Sequence, residues 1–421
     1  WREEGLDLTW NGELADAMQK FQASHAALIE LHRREGNTEQ MLFELGQAEF
    51  YVGMVHVESG RPEMARDHWV RYGALTRRLL NREPNNPRYV MELSYTLMNL
   101  GALEQQFPVP DATKSLELLQ AAVQYNQMAL VLDPESREYQ ASLPTQLAWL
   151  ADTRLMTCSL GEALELRQQA AELRRELVEQ YPESADDARE YAYGLSGLAG
   201  VQQQIGLAEE AARSMSQSVD VLLKLHRQEP DNEDIEWQML LRRSLLAEIW
   251  LSMGELDRAA EIIEPMTERI RELGKDPEGT ALYLELESPS FALKRARLLI
   301  QRGEVEQGEQ EMRSAVDRLI ALIKAKPGSH EGLTALAWAS FDHWERFGNY
   351  PQEAKALLPA DFLDGPDSQQ GCSMANLAAR LAVVDGDMPL ARRYVDYALQ
   401  KGYFERDFIV FCKRYQLCEL P

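Results

Sequence analysis

GLSGLAGVQQQIGLAEEA, residues 194–211, carries the signals that decide the fold of this 421-residue chain. Gly206 suits a chain reversal between two helices. Ahead of it lie Leu198 and Ala199, and five residues after it comes Ala211. Small residues at such places let two helices approach closely. Nineteen residues beyond Ala211 stands Pro230, in the stretch EPDN at 229–232. Proline lacks the N–H that a helix interior needs, and Asp or Asn after it suits a new helix start. The stretch therefore predicts a helix, a glycine turn, a second helix and a proline stop. The three glycines of GLSGLAG do not have dinucleotide-loop spacing and follow no strand, so they are read as close helix packing.

Moving outward, the same punctuation recurs. Prolines at 84, 134, 182, 230, 277 and 327 are separated by 50, 48, 48, 47 and 50 residues. Ala65, Ala163, Ala211 and Gly308 each sit 19 residues before a proline and Ala259 sits 18 before, with glycines at 60, 206, 254 and 303 just ahead of them. A fixed period of this length marks stacked repeats, in which a helix pair buries its faces only against its neighbours. Helices of about 20 residues would be about 30 Å long, from a 1.5 Å rise per residue. Richness in Leu, Ala, Glu, Gln and Arg agrees with an all-α chain.

The punctuation and the small residues resemble the tetratricopeptide repeat. That family has 34-residue helix pairs with a small residue in the first helix, Gly at the turn, Ala in the second helix and a closing Pro. SLLAEIWLSMGELDRAA supplies Leu246, Ala247, Gly254 and Ala259; FYVGMVHVESGRPEMA supplies Gly53, Gly60 and Ala65; LAARLAVVDGDMPLA supplies Ala379, Gly386 and Ala391. The period exceeds the family's by about two turns per helix, which rotates the apolar face by only about 20°. The resemblance implies an α-solenoid, a right-handed superhelix of antiparallel pairs. Cys158 takes one turn-glycine place, and ALEQQFPVPDATKSLE interrupts the array near 102–116. The expected organisation is a repeat array over 1–358, a loop over 359–373, and a last repeat with a capping helix over 374–421. In that cap, Phe404, Phe408, Phe411 and Tyr415 fall at helical spacing. LFELGQAEFYVGMV and YVMELSYTLMNLGALE also look like long-repeat arrays on the C-terminal side of multidomain bacterial signalling proteins. That likeness implies a sensing or docking piece of a longer protein, either outside the cytoplasmic membrane or within the cytoplasm.

Charge and motifs narrow the function. Lys and Arg number 44 against 68 Asp and Glu, a formal charge of −24, which repels nucleic acid and anionic membrane alike. No run of about 18 apolar residues is present for a membrane span. Walker, HExxH, GxSxG and CxxC patterns are absent, so no enzyme and no cofactor is expected. A hydrolase built on Asp361, Asp364, Asp367 and Cys372 is the weakest reading. The seven histidines are scattered, and His25 and His32 lie two turns apart, so no metal is expected. The four cysteines are expected as buried or free thiols; Cys412 and Cys418, near the end, are the one pair placed to cross-link if the chain lives outside the cytoplasm.

What remains is a groove. In the tetratricopeptide family the first helices line a concave face that takes a protein or peptide. By register, the resemblance places there Gln47, Phe50 and Met54, then Tyr95, Met98 and Gln105, then Asp152 and Met156. Tyr193, Ser196 and Gln203 follow, then Ser244 and Glu248, and last Leu293 and Arg297. The expectation is a non-enzymatic interaction and sensing module; the alternative is a self-associating scaffold, a homo-oligomer.

Overall fold

Helix starts follow Pro84, Pro182 and Pro230 because a capping side chain comes two residues after each of these three. Asn86 accepts from the Arg88 amide at 3.1 Å, Ser184 from Asp187 at 3.2 Å and Asn232 from Ile235 at 3.2 Å. Each cap satisfies an amide that the first turn leaves open and contributes about 1 kcal/mol. At the other end of five first helices, Gly60, Gly206, Gly254, Gly303 and Gly386 take φ between 67° and 89°. Cys158 occupies the same place with φ of 57°, a conformation that side chains other than glycine's seldom adopt.

The computed structural model describes residues 2–10, 13–107, 110–273, 281–325, 330–358 and 371–419. Every regular element among them is a helix. Helices α1 (Arg2–Trp10) and α2 (Leu14–Glu35) precede the pairs. These are α3 (Glu39–Glu58) with α4 (Pro62–Leu80), α5 (Pro87–Gln106) with α6 (Ala112–Leu132), and α7 (Arg137–Met156) with α8 (Leu160–Gln180). The series continues with α9 (Ala185–Gln204) and α10 (Ala208–Gln228), α11 (Glu233–Met253) and α12 (Leu256–Leu273), then α13 (Ala281–Gln301) and α14 (Val305–Ala325). Next come α15 (His330–Phe347), the short α16 (Gln352–Leu357), α17 (Gly371–Val384), α18 (Met388–Gln400) and α19 (Arg406–Arg414). Pro277, Pro327, Asp361, Asp364, Asp367 and most of the expected loop, 359–370, lie outside the described residues; residues 371–373 open α17.

The small residues work as close-contact points. Ala65, Ala163, Ala211, Ala259 and Ala391 are fully buried, and a side chain on Gly53 would strike the indole of Trp69. Within each of the chain's two compact units, apolar clusters join a pair to the next first helix, as in Ala192, Leu222, Leu225, Ile235 and Met239, which link α9, α10 and α11. Such nearest-neighbour burial is what holds a stacked array together.

The described residues gather into two compact units: Trp1–Arg154 with Glu165–Gln180, and Leu155–Leu164 with Tyr181–Pro421. In the second unit the tail does more than cover the last pair. Tyr403, Phe408, Phe411 and Leu417 are buried in one cluster with Cys372, Ala375 and Ala379 of α17, Phe341 of α15, and Cys158 and Leu160 from the α7–α8 turn. The Phe404 amide donates to the Gln204 carbonyl at 2.8 Å, and Gly206 lies so close to Phe404 that a Cβ would meet its carbonyl oxygen at 2.8 Å. Phe404 itself is exposed. The tail thus ties the last repeat of this unit to its first turns.

The cysteine expectation is corrected by the same packing. Cys158 and Cys372, 214 residues apart, form a disulfide with Cα atoms 5.2 Å apart, while Cys412 and Cys418 are free. Free thiols are thus the outcome for Cys412 and Cys418 but not for the other two, because the tail and α17 bring Cys372 back to the α7–α8 turn.

Candidate functional site

Successive first helices carry the expected groove residues, and many of these bridge one repeat to the next. In the first unit, Gln47 of α3 donates to Glu92 of α5 at 2.8 Å, and Tyr72 of α4 donates to the same carboxylate. Phe50 packs edge-on against Tyr51 and near Tyr72. Tyr95 of α5 donates to Glu138 of α7 at 2.8 Å, and Gln105 reaches Thr153 Oγ1 at 2.8 Å and the Trp149 carbonyl at 3.1 Å. Met98 packs against the α5–α7 cores, and Met54 is half-buried. Asp152 is ion-paired with the buried Arg167, though burial leaves its carboxyl above the usual range. These side chains hold the stack, and their polar ends are already used.

A second polar cluster in this unit escaped the sequence reading. Buried Glu49 of α3 bonds His25 of α2 at 2.8 Å, His68 of α4 at 2.6 Å and Arg71 at 3.1 Å. Burial alone would raise its carboxyl, but the bonds from His25 and His68 hold it at about 2. The two histidines take different carboxylate oxygens, and no cluster among the described residues is arranged to hold a metal ion. Histidines on different helices have no shared spacing, so the chain alone could not show this.

In the second unit, Met156 is half-buried against Gly371, and Leu293 packs into the α14–α17 core. Ser196 and Gln203 are half-buried, and Ser244 is buried with its hydroxyl unpartnered. Glu248 of α11 and Arg297 of α13 form an ion pair, and Arg297 also holds Asp407 of α19 at 2.7 Å. Burial opposes ionisation of Glu248, yet Arg297 and Lys294 keep its carboxyl below the usual range. Arg380 of α17 donates to the Asp407 carbonyl at 3.2 Å and stacks over Phe411 at 4.5 Å. One expected partner contact, Arg297, is therefore taken by the chain's own tail, while Glu248 is taken by Arg297 and Lys294. Tyr193 is 48% exposed, with the Arg242 guanidinium 5.8 Å from its ring centre.

Cys372, bonded to Cys158, offers no thiol nucleophile. No helix among the described residues is long and apolar enough to cross a membrane.

No protein-family model and no curated protein matches the sequence. Among solved structures, the chain is similar to the apo form of RapI, at TM-score 0.57 and 10% identity over 95% of this chain and 96% of that one. It is similar to a Rap protein complexed with competence and sporulation factor, at TM-score 0.51 and 12% identity over 95% and 97%. NprR in complex with its cognate peptide NprX aligns at TM-score 0.49 and 12% identity over 94% and 98%. At such identities the likeness is one of fold. With its glycine-turned, alanine-packed helix pairs, the chain belongs by fold among the tetratricopeptide-repeat-like α-solenoids.

Proposed function

We propose that the chain is a non-enzymatic interaction module of a bacterial signalling or regulatory protein, taking a peptide or protein segment on its first-helix face. The observation that carries this reading is the exposure of Tyr193 (48%) and Leu245 (38%) on the consecutive first helices α9 and α11. Neighbouring first-helix positions in the same unit are filled by the tail. Large exposed side chains on adjacent elements favour a docking surface over a packing role. The fold agrees: a Rap protein of the same architecture is known in complex with competence and sporulation factor. Gln47, Tyr95, Gln105, Asp152, Glu248 and Arg297 have their polar ends bonded to other side chains of the chain, which favours contact through a few anchors over a continuous polar ladder.

The test is cross-linking capture with the full-length parent protein, comparing wild type with Tyr193→Ala/Leu245→Ser. Both side chains are exposed, so the melting temperature should stay within a degree or two. Partners lost at least fivefold in the variant support the reading. An unchanged set of partners removes this face from consideration.

A further inference from the structure

Arg242 interrupts an apolar stripe. Ile235, Met239, Leu246 and Ile249 fall on one face of α11 at helical spacing, all buried, and pack against the α9 and α10 clusters. Residue 242 completes that stripe, where a leucine would pack, and it is an arginine with 6% of its surface exposed. Many other arginines in this unit meet acids: Arg269 with Glu236, Arg295 with Glu311, Arg297 with Glu248, Arg302 with Glu264, Arg346 with Glu309 and Arg414 with Glu345. Arg242 does not. Among the described residues no carboxylate oxygen lies within 4.0 Å of its guanidinium, no acceptor takes a hydrogen bond from it, and its Nε is enclosed without a partner. Asp234, the acid whose field reaches it, lies beyond pairing distance and faces Arg189 at 3.9 Å. Among the described residues the adjacent Arg243 has no acid partner either.

A buried, uncompensated cation is costly, and arginine keeps its charge under such conditions. The cost is offset when an anion arrives. A guanidinium held beside an aromatic ring presents a planar edge that fits a carboxylate through two parallel bonds. We propose that Arg242, beside Tyr193, anchors a carboxylate of the bound segment, so that the ligand is an acidic peptide. This rests on the docking face proposed above and adds the chemistry of its ligand. A chain of charge −24 repels acidic peptides overall, so any preference for one must come from the site itself.

The experiment measures fluorescence anisotropy of three labelled decapeptides on one Ser/Tyr/Leu background. One carries four Glu and an amidated end, one has a free C-terminal carboxylate alone, and one has neither. Wild type should bind at least one carboxylate peptide about tenfold tighter than the neutral one, the usual size of a charged hydrogen-bonded contact. Which of the two is preferred separates a side-chain carboxylate from a chain end. Arg242→Met fills the same stripe without charge; it should abolish the preference while leaving the melting temperature equal or higher. Arg242→Gln gives the same binding test if Met disturbs packing. Equal affinity for all three peptides, or a preference that survives in both variants, overturns the anchor and leaves the docking face standing. Failure of all three to bind removes both.

Discussion

Asp342 on α15 lies inside the second unit within the fields of Arg297 and Arg380, yet it forms no hydrogen bond or ion pair among the described residues. Burial pushes its carboxyl up to about 6 from 3.8, against the pull of those arginines. A carboxyl whose folded value is raised contributes its stability below the unfolded value and loses it as pH rises through the folded one. Asp342→Asn should therefore stabilise this unit by about 2 kcal/mol at about pH 8 and change little at about pH 3.5. Urea melts at the two pH values check this, and an equal effect at both would show that the carboxylate is not strained. His56 in the first unit is the opposite sort of group: burial, with Arg61 and His68 nearby, lowers it to about 4. Neither group stands out in the sequence, where an acid or a histidine on a helix is read as solvated until its neighbours are known. Arg242 was more legible, since it breaks the 235, 239, 246, 249 stripe. A groove register counted from Ser244 and Glu248 passes over it.

Among the elements, turns and caps were readable because each is settled within a few residues. Gly254 ends α11 in the left-handed region, and Asn232 starts it with a side-chain bond. The role of α19 was only half readable. Its aromatic spacing announced a buried face, and Phe408 and Phe411 are indeed buried. Where that face would go depended on Gln204, Phe341 and Arg297, which lie 70 to 200 residues before Phe404, Phe411 and Asp407, the residues they meet. Phe411→Ala should cost this unit about 3–5 kcal/mol. Hydrogen exchange should then quicken from 403 to 417 while α10 keeps its protection. Asp407→Asn, which leaves Glu248 to Arg297, should cost about 1 kcal/mol. If Phe411→Ala leaves exchange in the tail unaltered, the docking of α19 does not depend on that core.

For the molecule as a whole, the Cys158–Cys372 bond closes a loop of about half the chain. In a chain-entropy account a loop of that length stabilises by about 5 kcal/mol, less any strain. Reduction, or Cys372→Ser, should lower the unfolding midpoint by several degrees. Alkylation of unfolded, unreduced protein should label two thiols of the four; four labels would sink the pairing. The sequence by itself determined the all-helical repeat, its period of about 48 residues, the turn glycines, the capping residues and the buried alanines. Those follow from backbone sterics and helical periodicity, which act over a few turns. Tertiary structure alone decided the rest: which cysteines meet, that Arg297 is shared between Glu248 and Asp407 of the tail, and that Arg242 is left without an acid. Each of those depends on side chains dozens to hundreds of residues apart, brought together by the burial of surfaces that no local pattern specifies.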